Sequence, residues 1–385
     1  MTNSNPVTAL QRWGQSVWLD DLRRSLFTSG KFGRLIAEDG LRGVTSNPSI
    51  FEKAIAGTTE YAAALRDIDN RIPPAPVEAY EALAVRDIRT AADLLRPVYH
   101  ATARADGYAS LEVSPLLAYD TQGTIEEARR LWRAVGRENV MIKVPASTEG
   151  LPAIRQLTSE GINVNITLLF AVDRYEEVAR AYIDGLTMFA EAGGDLASVS
   201  SVASFFVSRI DTLLDELIVN RLGTTTDSAD RATLTGLLGH VAIANARIAY
   251  QKYLALCRTE AWQALAQKGA HPQRLLWAST STKNPRYRDV RYVEELIGSD
   301  TVTTLTLPTL EAFRKHGRPR ASLGEDLEDA HRVIDTLERL DISLADATTR
   351  LLDDGVRLFS SAFERLLTSV QQAISAPRET APSAR

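Results

Sequence analysis

Eight short apolar runs alternate with longer amphipathic stretches along the 385 residues of this chain. The runs are rich in β-branched residues and predict buried strands, and the stretches between them predict helices. Strands that alternate with helices form a parallel sheet, and eight such units predict an α/β protein with a single (β/α)₈ (TIM) barrel. The predicted strands cover residues 16–20, 43–47, 110–115, 140–145, 164–169, 197–204, 275–280 and 302–307.

Four helical segments exceed what a minimal barrel needs. Residues 51–100 follow the second strand and residues 205–269 follow the sixth, while 323–340 and 344–374 predict two long helices after the eighth. The last two would pack outside the barrel or across one mouth. We predict one barrel domain over residues 1–375, followed by a small, polar tail, 376–385, that we expect to be disordered.

Composition excludes several classes of function. The net charge is −5 and no long basic run occurs, which argues against a nucleic-acid partner. The N-terminus is polar and no run approaches membrane-spanning length, so we expect a cytoplasmic protein without a membrane partner. A single cysteine, Cys257, allows no intrachain disulfide and fits a reducing compartment. We interpret it as a core residue on a helix rather than a catalytic thiol.

Cofactor motifs are missing from the sequence. Its five histidines are far apart, and no pair has the spacing typical of metal ligands. Neither a GxxxxGK[ST] loop nor a GxGxxG loop occurs, so a nucleotide cofactor has no evident site. We therefore expect no metal and no organic cofactor, although ligands brought together only by folding would escape this search.

Lys143 is the one charged residue in the apolar run of the predicted fourth strand. Lysine is rarely buried unless it is paired, so its place in a buried strand needs an explanation. An edge strand, or a lysine that extends its amine to the solvent, is one explanation. The other is an amine nucleophile that attacks a carbonyl group.

Strand alternation favours the nucleophile. Side chains alternate between the two faces of a strand, and on strands one to five the face opposite the apolar one carries polar residues. Most lie near the carboxyl end of their strand, where barrel enzymes carry their sites. Buried polar groups without partners cost about 1–3 kcal/mol each, so a ring of them indicates function. The ring comprises Asp20, Asn47, Glu112, Lys143, Asn165 and Thr167.

These residue types suit Schiff-base chemistry. A lysine forms an imine with a ketone or aldehyde, and the iminium accepts the electrons of a neighbouring C–C bond. Glu112 and Asp20 would act as general acid and base, while asparagine and threonine would hold sugar hydroxyls. Loops after late barrel strands often bind phosphate, and Ser204, Arg209 and Lys283 lie there. A solvated surface charge is the alternative for the two cations.

Five segments carry a family resemblance. In chain order they are Val17-Trp18-Leu19-Asp20, the T-[ST]-N-P-S match Thr45-Ser46-Asn47-Pro48-Ser49, Leu111-Glu112-Val113-Ser114-Pro115, Ile142-Lys143-Val144-Pro145 with Thr148-Glu149-Gly150, and Gly161 to Phe170. Over residues 5–374 the chain resembles the transaldolase family in its longer bacterial form. Each segment alone is of moderate specificity, whereas five in order on a barrel are highly specific.

The resemblance implies transfer of a dihydroxyacetone unit in the pentose phosphate pathway. Donors would be sedoheptulose 7-phosphate or fructose 6-phosphate, and acceptors glyceraldehyde 3-phosphate or erythrose 4-phosphate. It implies that Lys143 is the nucleophile, that Asp20 moves the proton in C–C cleavage, and that Glu112 works through a water. The implied substrate contacts are Thr45, Asn47, Asn165, Thr167 and Ser204 for the sugar, and Arg209 and Lys283 for the phosphate.

Two departures and two alternatives stay open in the sequence. Asp21 follows Asp20, although alternation favours Asp20, and Lys283 stands where the family often has arginine. A related aldolase that releases free dihydroxyacetone is the first alternative, but such relatives resemble shorter chains without the glutamate at position 112. A catalytically silent barrel is the second, and the intact set of Asp20, Glu112 and Lys143 argues against it. The oligomeric state is either monomer or homodimer.

Overall fold

Eight parallel strands pair in chain order, and the eighth pairs with the first to close a barrel. The computed structural model describes residues 5–56, 60–61, 64–65 and 75–375. The strands are β1 Gln15–Asp20, β2 Gly43–Thr45, β3 Tyr108–Glu112, β4 Val140–Pro145, β5 Val164–Leu169, β6 Ser201–Phe206, β7 Arg274–Ala278 and β8 Thr301–Leu305. The predicted (β/α)₈ barrel is confirmed, while the predicted disorder of 376–385 lies outside the described residues.

Helices follow every strand and cover the barrel. They are α1 Pro6–Ala9, α2 Arg24–Thr28, α3 Lys31–Asp39, α4 Pro48–Ala56, α5 Pro76–Ala101, α6 Thr121–Val135, α7 Gly150–Ser159, α8 Val172–Glu191, α9 Ser208–Thr224, α10 Ser228–Leu237, α11 Val241–Leu256, α12 Glu260–Ala266, α13 Arg291–Glu295, α14 Leu307–His316, α15 Leu327–Arg339 and α16 Leu344–Ser375. The additional segments predicted after strands two and six consist mostly of helix where the structure describes them. In the part of the chain that the structure describes, no helix is both long enough and apolar enough to cross a membrane.

Strand six begins later than the sequence predicts. Residues 196–198 form a 3-10 turn rather than extended chain, and β6 starts at Ser201. The Asp195 carboxylate accepts a hydrogen bond of 3.1 Å from the Ala197 amide and so caps this turn. A short side chain that binds its own backbone in this way competes with strand pairing, and apolar content alone does not reveal it.

The amino-terminal end of the barrel is closed by a buried carboxylate. Asp106 accepts hydrogen bonds from the Ser16 hydroxyl at 2.6 Å and the Trp18 indole at 3.3 Å. Arg274 of β7 completes the cluster with an ion pair of 2.9 Å to the same carboxylate. Ser16 and Trp18 lie on the same face of β1 as Asp20. On this face, Ser16 stabilises the amino-terminal end of the barrel through Asp106, whereas Asp20 lines the pocket at the carboxyl-terminal end.

The long helix α16 crosses the carboxyl-terminal mouth of the barrel and contributes Phe359 to the wall of the pocket there. Asp353 of α16 accepts a hydrogen bond of 2.9 Å from the Tyr119 hydroxyl, which lies beyond β3. About three turns of helix further along, Arg365 donates one of 3.1 Å to Glu52 of α4. The helix is therefore attached on both sides of the mouth.

The alternation of β5 breaks at Leu168. This residue has a φ of 60°, and the pairing with β6 shifts register between Ile166 and Leu169. A left-handed backbone costs about 1–3 kcal/mol for a side chain of this size. Leu168 lies against Gly355 of α16, where an added Cβ would come within 2.7 Å of its Cδ2. Alternation predicts that Val164, Ile166 and Leu168 lie on one face of β5. This alternation ends before Leu168, although the strand continues to Leu169.

Candidate active site

A cavity of about 270 Å³ opens at the carboxyl-terminal end of the barrel. This is the end at which barrel enzymes carry their sites, because the βα loops converge there. Seven residues that the sequence predicts for the site line its wall together with Lys143. They are Asp20, Thr45, Asn47, Thr167, Ser204, Arg209 and Lys283.

Lys143 lies at the wall of this pocket with 4 % of its surface exposed. Its Nζ donates a hydrogen bond of 3.0 Å to Glu112 Oε2 and another of 3.0 Å to the carbonyl oxygen of Ser46. Glu112 and Lys143 are direct partners in the pairing of β3 with β4, which sets the two side chains next to each other. The amine is therefore held in place by two acceptors before any substrate binds.

Glu112 reaches Lys143 from outside the main pocket. Its side chain borders a separate cavity of about 10 Å³, together with Tyr80 and Glu127. A space of this size holds about one water molecule. Burial raises the pKa of Glu112 above its usual range, and the charge of Lys143 opposes that shift. A carboxyl group whose neutral form is favoured by burial and whose charged form is favoured by a neighbouring cation can both give and take a proton.

Asp20 lines the main pocket at the end of β1. Burial raises the pKa of its carboxyl group, and the charge of Lys143 is the largest influence in the opposite direction. The next residue, Asp21, forms an ion pair of 3.2 Å with Arg23 and is absent from the wall of the pocket. The geometry thus separates the two aspartates that the sequence leaves adjacent.

Thr45, Asn47 and Thr167 contribute neutral polar groups to the wall. Asn47 Oδ1 accepts a hydrogen bond of 3.0 Å from the Ile50 amide and so fixes the first turn of α4. The hydroxyl of Thr167 is fully buried and has no hydrogen-bond partner in the described structure. A buried hydroxyl without a partner costs about 1–3 kcal/mol, which a ligand hydroxyl or a water would relieve.

Asn165 lies behind the wall rather than in it. Its Nδ2 donates a hydrogen bond of 3.0 Å to the Ser110 hydroxyl, and its Oδ1 accepts one of 2.7 Å from Ser204. Because Ser204 does line the pocket, Asn165 fixes that hydroxyl from below. Its direct contact with a sugar stays a prediction.

The far end of the pocket is cationic. Arg209 lies in the first turn of α9, and Lys283 follows β7 with its Nζ 2.7 Å from the Ser281 hydroxyl. Two hydrogen bonds join the segment after β6 to the segment after β7. The Ser208 amide donates one of 3.0 Å to the carbonyl oxygen of Ser279, and the hydroxyls of the same two residues are 3.0 Å apart. Partial burial lowers the pKa of Lys283, and the neighbouring Arg209 adds to this effect. Two converging cations of this kind suit a phosphate group.

Several wall residues escape sequence reasoning. Lys53 of α4 reaches the same pocket, but an exposed lysine on a helix gives no signal by itself. Phe359 of α16 also lines the wall, although its amphipathic helix predicts only a core position. Ser46, the acceptor for Lys143, lies inside the T-[ST]-N-P-S match and could have been noticed there. Lys53 and Phe359 were outside the reach of strand alternation, because both lie on helices.

The structure also shows how the candidate metal ligands and the single thiol are arranged. In the part of the chain that the structure describes, no group of three or more histidine, cysteine, aspartate or glutamate side chains could hold a metal ion. Cys257 lies at the end of α11 and borders a different, largely aromatic cavity of about 20 Å³. Burial raises the pKa of its thiol, which makes it less reactive.

Comparison with known proteins agrees with this geometry. Residues 17–370 match the model of the transaldolase/fructose-6-phosphate aldolase family. A transaldolase of Trichodesmium erythraeum is 46 % identical over 375 residues, covering 96 % of this chain and 98 % of the relative. The transaldolase of Thiobacillus denitrificans is 46 % identical, and the match covers 95 % of this chain and 99 % of the relative. The transaldolase of Thermobifida fusca is 44 % identical, and the match covers 97 % of this chain and 99 % of the relative. The predicted resemblance is confirmed, and the chain belongs to the transaldolase/fructose-6-phosphate aldolase family.

Proposed function

We propose that this protein is a transaldolase that moves a dihydroxyacetone unit between phosphorylated sugars in the pentose phosphate pathway. The donor is sedoheptulose 7-phosphate or fructose 6-phosphate, and the acceptor is glyceraldehyde 3-phosphate or erythrose 4-phosphate. One observation carries the proposal most directly. It is the buried Lys143 amine, 3.0 Å from a carboxylate of raised pKa, at the wall of a pocket whose far end is cationic.

In the first step, Glu112 takes a proton from the Lys143 ammonium, and the free amine attacks the C2 carbonyl carbon of the donor. The resulting carbinolamine loses its hydroxyl group as water and becomes a protonated imine. Glu112, acting through a water molecule, supplies the proton for the departing hydroxyl and takes one from the nitrogen. The small cavity beside Glu112 has room for such a water.

In the second step, the bond between C3 and C4 of the donor breaks. Asp20 takes the proton of the C4 hydroxyl, whose oxygen becomes the carbonyl oxygen of the departing aldehyde. The electron pair of the broken bond moves into the iminium and leaves an enamine on Lys143. Asp20 is suited to this step because it lines the same pocket and binds a proton more readily than an exposed aspartate.

In the third step, the enamine carbon attacks the acceptor aldehyde and Asp20 returns its proton to the new hydroxyl group. Water then hydrolyses the imine, with Glu112 in the reverse of its first role. Thr45, Asn47 and Thr167 hold sugar hydroxyls, Ser204 acts with Asn165 behind it, and Arg209 and Lys283 bind the phosphate. Every step uses these side chains and water.

Product analysis separates transfer from simple cleavage. We expect fructose 6-phosphate with erythrose 4-phosphate to give glyceraldehyde 3-phosphate and sedoheptulose 7-phosphate, with little free dihydroxyacetone. Without an acceptor, the enamine should remain on the enzyme and turnover should stop. If dihydroxyacetone accumulates equally fast without an acceptor, the protein is an aldolase and the proposal fails.

We further propose that residues 1–375 act as one catalytic unit in the cytoplasm, as a monomer or a homodimer. The support is a single closed barrel whose pocket takes residues from β1 to α16. Light scattering of the purified chain measures the oligomeric state. A larger assembly would contradict this part of the proposal.

A further inference from the structure

Arg209 lies between two aromatic rings. Its guanidinium carbon is 5.1 Å from the ring centre of Phe206 and 5.8 Å from that of Phe359. Phe206 ends β6, whereas Phe359 belongs to α16, far along the chain. A cation is attracted to the face of an aromatic ring within about 6 Å, and more strongly where water is excluded.

The two rings orient this guanidinium. Among the described residues, the structure gives Arg209 neither an ion pair nor a side-chain hydrogen bond. Burial lowers its pKa, and the carboxylates of Asp20 and Glu112 oppose that shift only from a distance. Its donors are therefore available to an anion in the pocket that Arg209 lines.

Phe359 is itself held in place. It is 3 % exposed, whereas its neighbour Leu358 is 57 % exposed and faces away. One helical turn earlier, Gly355 packs against Leu168 so closely that no side chain fits there. Because Leu168 follows Thr167 on β5, the same contact connects α16 with the barrel wall. The ring of Phe359 thus has a fixed position over Arg209.

We propose that Phe359 is a positioning residue for Arg209, and that α16 thereby sets the preference for phosphorylated over unphosphorylated sugars. Phe359 keeps the guanidinium plane and its donors directed at the phosphate position without neutralising the charge. A carboxylate partner would fix the side chain equally well but would cancel the charge that attracts the phosphate. This inference rests on the proposed function for its substrate.

The experiment compares Phe359→Ala, Phe359→Leu and Phe359→Tyr, with Leu358→Ala as the matched control on the exposed side of α16. We expect the alanine and leucine variants to raise KM for fructose 6-phosphate about 3- to 30-fold, with kcat changed less than about threefold. The tyrosine variant keeps the ring and should resemble the unaltered protein, as should Leu358→Ala. Circular dichroism and thermal unfolding show whether each variant is folded.

Two results would overturn the proposal. One is a leucine variant that equals the unaltered protein, because bulk rather than the ring would then suffice. The other is an equal loss of activity toward unphosphorylated fructose, because Phe359 would then shape the whole pocket. Calorimetry with inorganic phosphate gives a readout that does not need turnover, and its Kd should rise by the same factor in the alanine and leucine variants. If the unaltered protein binds phosphate but does not use fructose 6-phosphate, the proposed function fails while the role of Phe359 is still tested.

Discussion

Glu112 Oε2 accepts a hydrogen bond of 3.0 Å from Lys143 Nζ, and the two residues are direct partners on neighbouring strands. Their side chains are only 6 % and 5 % exposed. Two charges removed from water in this way are stable together, but either one alone is costly. The same two side chains therefore affect both the stability of the fold and the reaction. During the reaction Lys143 becomes an imine, and Glu112 stays beside it.

Replacing Lys143 with methionine should destabilise the fold by about 3–5 kcal/mol at neutral pH, because Glu112 is left buried without its partner. Adding Glu112→Gln to Lys143→Met should recover most of that loss. Urea unfolding of the two single variants and the double variant measures the coupling. Lys283→Met is the control, because Lys283 is exposed and its removal should change stability by less than about 0.5 kcal/mol. Strictly additive losses at positions 112 and 143 would contradict the coupling.

Asp20→Asn should separate imine formation from C–C cleavage. We expect turnover to fall about 10²- to 10⁴-fold, because the base that takes the C4 hydroxyl proton is missing. Lys143 should still form its imine with fructose 6-phosphate, since Asp20 takes no part in that step. Mass spectrometry after reduction measures the imine, and a coupled assay measures turnover. Parallel losses of both would show that Asp20 acts earlier than proposed.

The activity should also fall on the acid side at a higher pH than an ordinary aspartate would produce. Burial raises the pKa of Asp20 above the usual 3.8, so its carboxylate is protonated, and lost as a base, at a correspondingly higher pH. The pH dependence of single-turnover cleavage measures this limb. The residual activity of Asp20→Asn should lack it. An unchanged acid limb in that variant would assign the limb to another group.

Lys53 and Lys283 should contribute to substrate binding rather than to chemistry. Replacing either with alanine removes one of three cations at the far end of the pocket, so KM for fructose 6-phosphate should rise about 3- to 10-fold with little change in kcat. The effect should shrink as ionic strength rises, because both side chains are partly solvated. Exposed Lys315 provides the control substitution. An unaltered KM would identify that lysine as a surface charge.

Asp211 should make stability depend on pH. Its carboxylate is buried in α9 and accepts hydrogen bonds from the Ala242 amide at 2.7 Å and the Tyr292 hydroxyl at 2.8 Å. Burial raises its pKa to about 6, from 3.8 in an exposed aspartate. The folded protein therefore holds a proton that the unfolded chain has lost, and its stability falls as pH rises from about 4 to 6.

The matching variant is Asp211→Asn, which keeps a neutral, hydrogen-bonding side chain. We expect it to remove a pH-dependent loss of about 2–4 kcal/mol between pH 4 and 7. Urea unfolding at several pH values measures the difference, with the exposed Asp335→Asn as control. Equal pH dependence in Asp211→Asn and the unaltered protein would exclude Asp211 as its source.

Strand alternation predicts much of this site because a closed barrel fixes which face looks inward. Once eight strands are recognised, the inward places of Asp20, Thr45 and Lys143 follow. Alternation alone does not distinguish Ser16 from the site residues, because Ser16 faces the same way but binds Asp106 at the opposite end of the barrel. It also fails at Leu168, because alternation cannot anticipate a residue with positive φ.

Positions set by tertiary packing are not predictable in this way. The apolar period of α16 indicates a buried face, but which residue of that face crosses the pocket depends on where the helix docks. Gly355 against Leu168 and Arg365 against Glu52 determine that point, and both contacts join residues far apart in sequence. Phe359 and Lys53 therefore enter the site only through the structure.

Borohydride trapping tests the central claim most directly. We predict that fructose 6-phosphate and borohydride together label one lysine irreversibly, and that peptide mass spectrometry places the label on Lys143. Lys143→Ala should be less stable but still folded and should take no label, whereas Lys53→Ala should be labelled like the unaltered protein. Absence of a label, or a label that persists in Lys143→Ala, would contradict the account.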